Sequence, residues 1–135
     1  MMDRTPDVDS LMNAAREAAQ TAYAPYSNFL VGAAILTEGG AVYAGCNVET
    51  ASYGLSICAE RNAATSMVSA SPEDRRIKSV AVFSPNTSPC FPCGACRQFL
   101  REFGCEEVVV EDASGLLRRY PFGEILPNSF GPEHL

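Results

Sequence analysis

The amino-acid sequence predicts an α/β domain of three layers, α-β-α, with a mixed sheet of about five strands in the middle. Three observations lead there. Helix-like and strand-like segments interleave along the chain, one strand run lies between two helices that both begin at cysteines, and two strand runs are joined by a short glycine-containing turn. The chain has 135 residues, enough for one substantial core but not two, so residues 1–135 read as a single domain.

The first helix-like stretch is DSLMNAAREAAQTAY, residues 9–23, with Asp9 and Ser10 as N-cap candidates. Leu11, Ala14, Ala15, Ala18 and Ala22 give it one small apolar face. APYSN then breaks it. FLVGAAILT (29–37) and AVYAGCNV (41–48) read as strands, and the EGG between them makes a hairpin. Residues 58–70 are alanine-rich and helical, with Ser71-Pro72 as the stop. SVAVFS (79–84) is a short buried strand, followed by the loop PNTSPCFP. CGACRQFLREFG (93–104) is a helix whose last residue, Gly104, suits the left-handed position after a helix end. EEVVVED and LLRRY are two more strands, and the tail from Gly123 holds one helical turn. The helix–strand–helix unit in the middle can set two parallel helices on one face of the sheet, with both N-termini at the same end. Cys58 would then lie close to Cys93 and Cys96.

Charge and composition exclude several function classes. There are 10 basic and 16 acidic residues, a formal net charge of -6, and no run of Lys or Arg. A nucleic-acid backbone would meet a repulsive field, so the expected partner is a small molecule and not a nucleic acid. The first twenty residues carry acids where a secretion signal needs positive charge. No stretch approaches the roughly 18 apolar residues of a membrane span. The expectation is a soluble, cytoplasmic protein with no membrane partner. In that reducing compartment, cysteines at 46, 58, 90, 93, 96 and 105 point to metal binding or thiol chemistry over disulfides.

Cys93-Gly94-Ala95-Cys96 is a C-x-x-C at a helix start. Alone it fits two zinc ligands, a redox pair or two buried structural thiols. Cys58 at the start of the other helix tips the balance. Three convergent thiols offer soft ligands for Zn²⁺ and leave its fourth position open, as in catalytic sites. Cys90 is the competing fourth ligand. Cys46 reads as a strand core residue and Cys105 as structural. Glu60, two residues after Cys58, can aim its carboxylate at that open position and move protons there. Without the cysteines it would merely be an acid complementing the helix dipole. Arg61 can offset the negative charge of three thiolates, and Arg97 could do the same from the second helix.

CAE followed by PCGACRQ resembles the zinc-dependent cytidine deaminases, specifically their small tetrameric branch with three cysteine ligands. The blocks YAPYSNFLVGAA, GCNVETASYGLSICAER, PCGACRQ and ILPNSF stand in that family's order and extend the resemblance from about Tyr23 to Phe130. The resemblance implies zinc held by Cys58, Cys93 and Cys96, with Glu60 as general acid and base. It implies nucleoside contacts from Phe29, from Asn47 and Glu49 on the ribose 3′-hydroxyl, and from the Ala59 N–H on the base. It also implies a homotetramer in which Phe130 and Tyr53 reach a neighbouring subunit's site. The implied reaction is hydrolysis of cytidine and 2′-deoxycytidine to the uridine products and ammonia, as part of pyrimidine salvage. Thr50 and ILPNSF depart slightly from the family's usual residues, away from the metal and Glu60. Two rivals remain at this point: a blasticidin-type deaminase of the same fold, and a non-catalytic zinc or redox-thiol module.

Overall fold

The structure is a computed structural model that describes residues 7–135. The first six residues, part of the stretch read for a secretion signal, lie outside the described residues. Helix α1 spans Val8–Ala19, and its cap is Asp7, whose carboxylate accepts the Ser10 N–H at 2.7 Å. Asp9 and Ser10 therefore sit inside the first turn, because the helix starts early enough to bring Val8 against the core. It also stops short of Tyr23. There the backbone turns to pair with the segment after the second strand: the Tyr23 N–H donates to the Asn47 carbonyl, and the Glu49 N–H donates to the Tyr23 carbonyl.

Strands β1 (Gly32–Thr37) and β2 (Val42–Cys46) form the expected hairpin. Residues 29–31 do not join β1. Side-chain amides hold them instead, a point taken up below. Helix α2 (Ala59–Ala70) leads to β3 (Ile77–Phe83), helix α3 (Gly94–Glu102) to β4 (Glu107–Glu111), and a tight turn to β5 (Leu117–Pro121). A short α4 (Phe122–Ile125) and a 3₁₀ turn (Pro132–His134) complete the tail.

The five-stranded sheet has the order β2-β1-β3-β4-β5. Only β3 and β4 run parallel, with α3 as the crossover between them; the other pairs are antiparallel. Alternation along the strands sorts the core into two layers. Ala34, Leu36, Ala81 and Val109 meet Leu11, Met12 and Ala15 of α1 on one face. Ala33, Ile35, Val80, Val82, Val108 and Val110 meet α2 and α3 on the other. The central strands are thus covered on both faces, which is why they read as continuous apolar runs in the sequence.

Two glycines let the helices press directly on the sheet. A Cβ on Gly32 would stand 2.0 Å from the Ala15 carbonyl oxygen of α1. A Cβ on Gly45 would stand 2.6 Å from the Ala63 nitrogen of α2. Edge strand β2 otherwise leaves Val42 and Ala44 exposed and Cys46 only half-buried, so Cys46 is not the core residue its alternation implied. Its thiol instead faces the Thr21 carbonyl at 3.6 Å.

Candidate metal centre

Both α2 and α3 begin at a cysteine. Cys58 and Cys93 are N-cap residues with extended backbone, and neither side chain caps its own helix. Their thiols are consequently free to turn toward each other. The Cys58 and Cys93 sulfurs lie 3.6 Å apart, and the three sulfurs of Cys58, Cys93 and Cys96 all fall within 4.8 Å of one another. A tetrahedral zinc with Zn–S bonds near 2.3 Å needs sulfurs about 3.8 Å apart, so the separation fits. The helix N-termini add positive potential at the same place.

The surroundings favour a thiolate at Cys58. An Arg61 terminal N–H donates to the Cys58 sulfur at 3.5 Å, and the buried Arg61 Nε–H has no acceptor. Its charge therefore remains directed at the sulfurs. Hydrogen bonding from Cys96, aided by Arg61 and Cys93, holds the Cys58 thiol below its ordinary range, while the same bond and burial raise Cys96. Cys90 is different. Burial, with Glu60 and Cys58 nearby, pushes its thiol up to about 11. It stands outside the cluster, so the expected competitor for a fourth ligand is not one of the converging sulfurs.

A cleft of about 300 Å³ opens beside the cysteines. Phe29, Asn47, Glu49, Ala59 and Glu60 line it together with Cys58 and Cys93, while Cys96 is fully buried behind them. Glu60 is only 3% exposed, and burial pushes its carboxyl up to about 7, with the Cys58 charge adding to the rise and Arg61 opposing it. Ala59, first in α2, has an N–H that no helical carbonyl can accept. Among the described residues no Lys or Arg lines the cleft.

Asn47 and Glu49 reach this cleft through backbone pairing with Tyr23 and, for the Asn47 N–H, with the Val31 carbonyl. The Asn47 side chain clasps the segment before β1, its Oδ1 accepting the Val31 N–H at 2.9 Å and its Nδ2 donating to the Phe29 carbonyl at 2.8 Å. Two of the expected site residues lie elsewhere. Tyr53 is 75% exposed on an adjoining cleft, edge-on to Tyr26. Phe130 is exposed on the tail, its ring beside His134 and its carbonyl accepting from Gln98. Arg97 also departs from expectation. Its guanidinium turns away from the thiols to donate to the Pro92 carbonyl at 2.8 Å and the Ile125 carbonyl at 2.7 Å. Ser27, Val31, Ser56, Ile57 and Phe91 line the cleft without having been singled out in the sequence. No local pattern marks them, because only the fold carries residues 27 and 56 to Glu49.

Residues 6–112 match the family model described as the cytidine and deoxycytidylate deaminase zinc-binding region. The chain is 40% identical over 131 residues to a cytidine deaminase of Sporosarcina psychrophila, covering 96% of this chain and 95% of that protein. It is 41% identical over 132 residues to a cytidine deaminase of Mycobacterium tuberculosis, covering 96% of each. Among solved structures, a cytidine deaminase from Burkholderia pseudomallei superposes with a TM-score of 0.83 at 44% identity, covering 93% of this chain and all of that one. The cysteine cluster thus lies within a match that extends over nearly the whole sequence, and the chain belongs to the cytidine and deoxycytidylate deaminase zinc-binding family.

Proposed function

We propose that this protein hydrolyses the C4 amino group of cytidine and 2′-deoxycytidine, giving uridine or 2′-deoxyuridine and ammonia. The observation that carries the reading is a buried Glu60 in a cleft lined by Cys58 and Cys93, two of three converging thiols. When bound by Cys58, Cys93 and Cys96, zinc supplies a Lewis acid that makes water nucleophilic at neutral pH. Glu60, with its carboxyl near neutrality, can take up a proton and give it back within one cycle. It accepts a proton from the attacking water, passes it to N3 of the base, and later helps protonate the amine that leaves C4. Water supplies the oxygen gained at C4, and ammonia carries off the nitrogen.

Phe29 packs on the nucleoside, the Ala59 N–H meets the base, and Asn47 and Glu49 bind the ribose 3′-hydroxyl in this reading. A free nucleoside is favoured over a nucleotide or nucleic acid because no cationic side chain among the described residues lines the cleft and Glu49 would repel a phosphate. Tyr53 and Phe130 lie too far out to complete their own cleft, which supports a homotetramer in which they serve a neighbour. Among the described residues no helix is long and apolar enough to cross a membrane. We place the enzyme in the cytoplasm, in pyrimidine salvage.

The test is the ultraviolet change on mixing zinc-loaded protein with cytidine, alongside the Glu60→Gln variant. The parent converts the substrate, and the variant keeps its zinc and loses turnover. An active variant would overturn the role of Glu60. A zinc-loaded parent that ignores cytidine but deaminates blasticidin would favour the rival of the same fold, and no turnover on either would favour a non-catalytic module.

A further inference from the structure

The carboxylate of Glu49 is almost fully engaged before any ligand arrives. Its Oε1 accepts two backbone N–H groups, from Tyr26 at 3.0 Å and Ser27 at 3.1 Å, and its Oε2 accepts the Ser27 hydroxyl. The same Ser27 oxygen accepts the Phe29 N–H at 3.0 Å. Ser27 is therefore a relay: it donates to the acid that borders the cleft and fixes the backbone of the aromatic that borders it. The next residues are held as firmly, with the Leu30 N–H donating to Asn86 at 2.8 Å and Asn47 clasping both Phe29 and Val31.

Counting lone pairs and protons shows what is left over. Glu49 Oε1 has both of its in-plane acceptor sites taken, so only Oε2 keeps one. Asn47 Nδ2 keeps one N–H after donating to the Phe29 carbonyl. Asn47 Oδ1 likewise keeps one lone pair after accepting the Val31 N–H, so the leftover groups are two acceptor sites and one donor. Glu49 Oε2 and Asn47 Nδ2 together complement a single hydroxyl, which both donates and accepts.

We propose that Ser27 is a positioning residue for sugar recognition: its hydroxyl fixes the rotation of the Glu49 carboxylate so that one Oε2 lone pair faces the cleft and selects a sugar hydroxyl. This rests on the reading of Asn47 and Glu49 as ribose contacts and goes beyond it by naming what orients them. The ordering of Glu49 toward ionisation agrees, since the Ser27 hydroxyl is the largest influence holding its carboxyl below the ordinary range. Ser27 does not touch the reacting atoms, and Phe29 is also held by the Asn47 amide, so the effect of Ser27 should follow the sugar and not the base.

The experiment measures kcat/KM on cytidine and on 3′-deoxycytidine for the zinc-loaded parent, Ser27→Ala and Ser27→Thr. For cytidine, Ser27→Ala loses about tenfold, the scale of one charge-assisted hydrogen bond. For 3′-deoxycytidine the same substitution costs less than about twofold, because the lone pair that it misaligns has no hydroxyl to meet. Ser27→Thr keeps the hydroxyl and restores discrimination. Equal losses on both substrates would overturn the proposal, since a general disturbance of the segment moves both alike. A parent that turns over cytidine and 3′-deoxycytidine equally would overturn the sugar-contact reading, and the role of Ser27 with it. That outcome is told apart from the first by the parent alone.

Discussion

Arg61 and Arg97 look alike in the sequence, each a guanidinium in the first turn of a cysteine-capped helix, yet only Arg61 touches a thiol. Arg61 is three positions after Cys58 and so returns to the same side of the helix as that sulfur. The direction of Arg97 is set by the Pro92 carbonyl and by that of Ile125, 28 residues after Arg97, and nothing in the PCGACRQ stretch announces the second partner. The consequence for Arg61 is measurable. Hydrogen bonding from Cys96 and then the Arg61 guanidinium hold the Cys58 thiol below its ordinary value. Replacing Arg61 by Gln raises that pKa, and zinc must then compete with a proton. Arg61→Gln should weaken zinc binding about tenfold in a chelator competition. The deficit should widen as the pH falls from about 8 to about 6, because a raised thiol pKa costs more the more acidic the solution. A deficit that stays constant across that range would mean that Arg61 acts by packing and not by charge.

Among the elements, the ones legible in the sequence were those whose boundaries are set locally. The β1–β2 hairpin follows from its turn residues, and α2 and α3 from their flanking prolines, glycines and apolar faces. The boundaries that moved are set by distant partners. Helix α1 ends early because Tyr23 pairs with Asn47 and Glu49, and β1 starts late because Asn47 and Asn86 take the amides of residues 30 and 31. The β4–β5 turn is the opposite case, wholly local and built on one side chain. Asp112 Oδ1 accepts the Ser114 hydroxyl, the Ser114 N–H and the Leu116 N–H, and Oδ2 accepts the Arg118 Nε–H at 2.7 Å. The Ser114 hydroxyl, then Arg118 and the Leu116 N–H, hold this carboxyl far below the usual range. A depressed folded-state pKa stabilises the fold fully above the ordinary aspartate value of 3.8, and the contribution fades as the pH drops below it. Asp112→Asn should therefore lower the urea midpoint at about pH 7 by clearly more than at about pH 2, since the contribution is lost only as the pH falls toward the depressed folded-state value. A gap of the same size at both pH values would show that the charge of Asp112 contributes nothing to the turn.

At the scale of the whole molecule, layer order and the meeting of two helix starts followed from interleaved patterns, while the course of the tail did not. Arg97, Gln98 and Arg101 of α3 bind carbonyls and side chains between Ile125 and Glu133, so the helix that carries Cys96 also fixes where Phe130 emerges. The sequence showed one helical turn in the tail and no local reason for the rest to be held. What the isolated fold leaves uncovered is apolar: Tyr26, Phe29, Tyr53, Leu55, Ile57 and Phe91 are exposed, and most of them rim two clefts that share Ser27, Glu49 and Ser56. A rim of this kind marks an interaction surface. The chain's charge of -6 opposes self-association, so burial of that rim must outweigh the repulsion, and added salt should strengthen assembly by screening it. The proposed homotetramer predicts a sedimenting mass four times the 14.5 kDa of the chain. Tyr53 is 75% exposed in the single chain, so Tyr53→Glu should fold normally yet place a charge in the subunit contact. Analytical ultracentrifugation should then find smaller species, and turnover per chain should fall with the loss of assembly. A monomeric parent with full activity, or a Tyr53→Glu variant that assembles and turns over like the parent, would mean that each cleft is complete within its own chain.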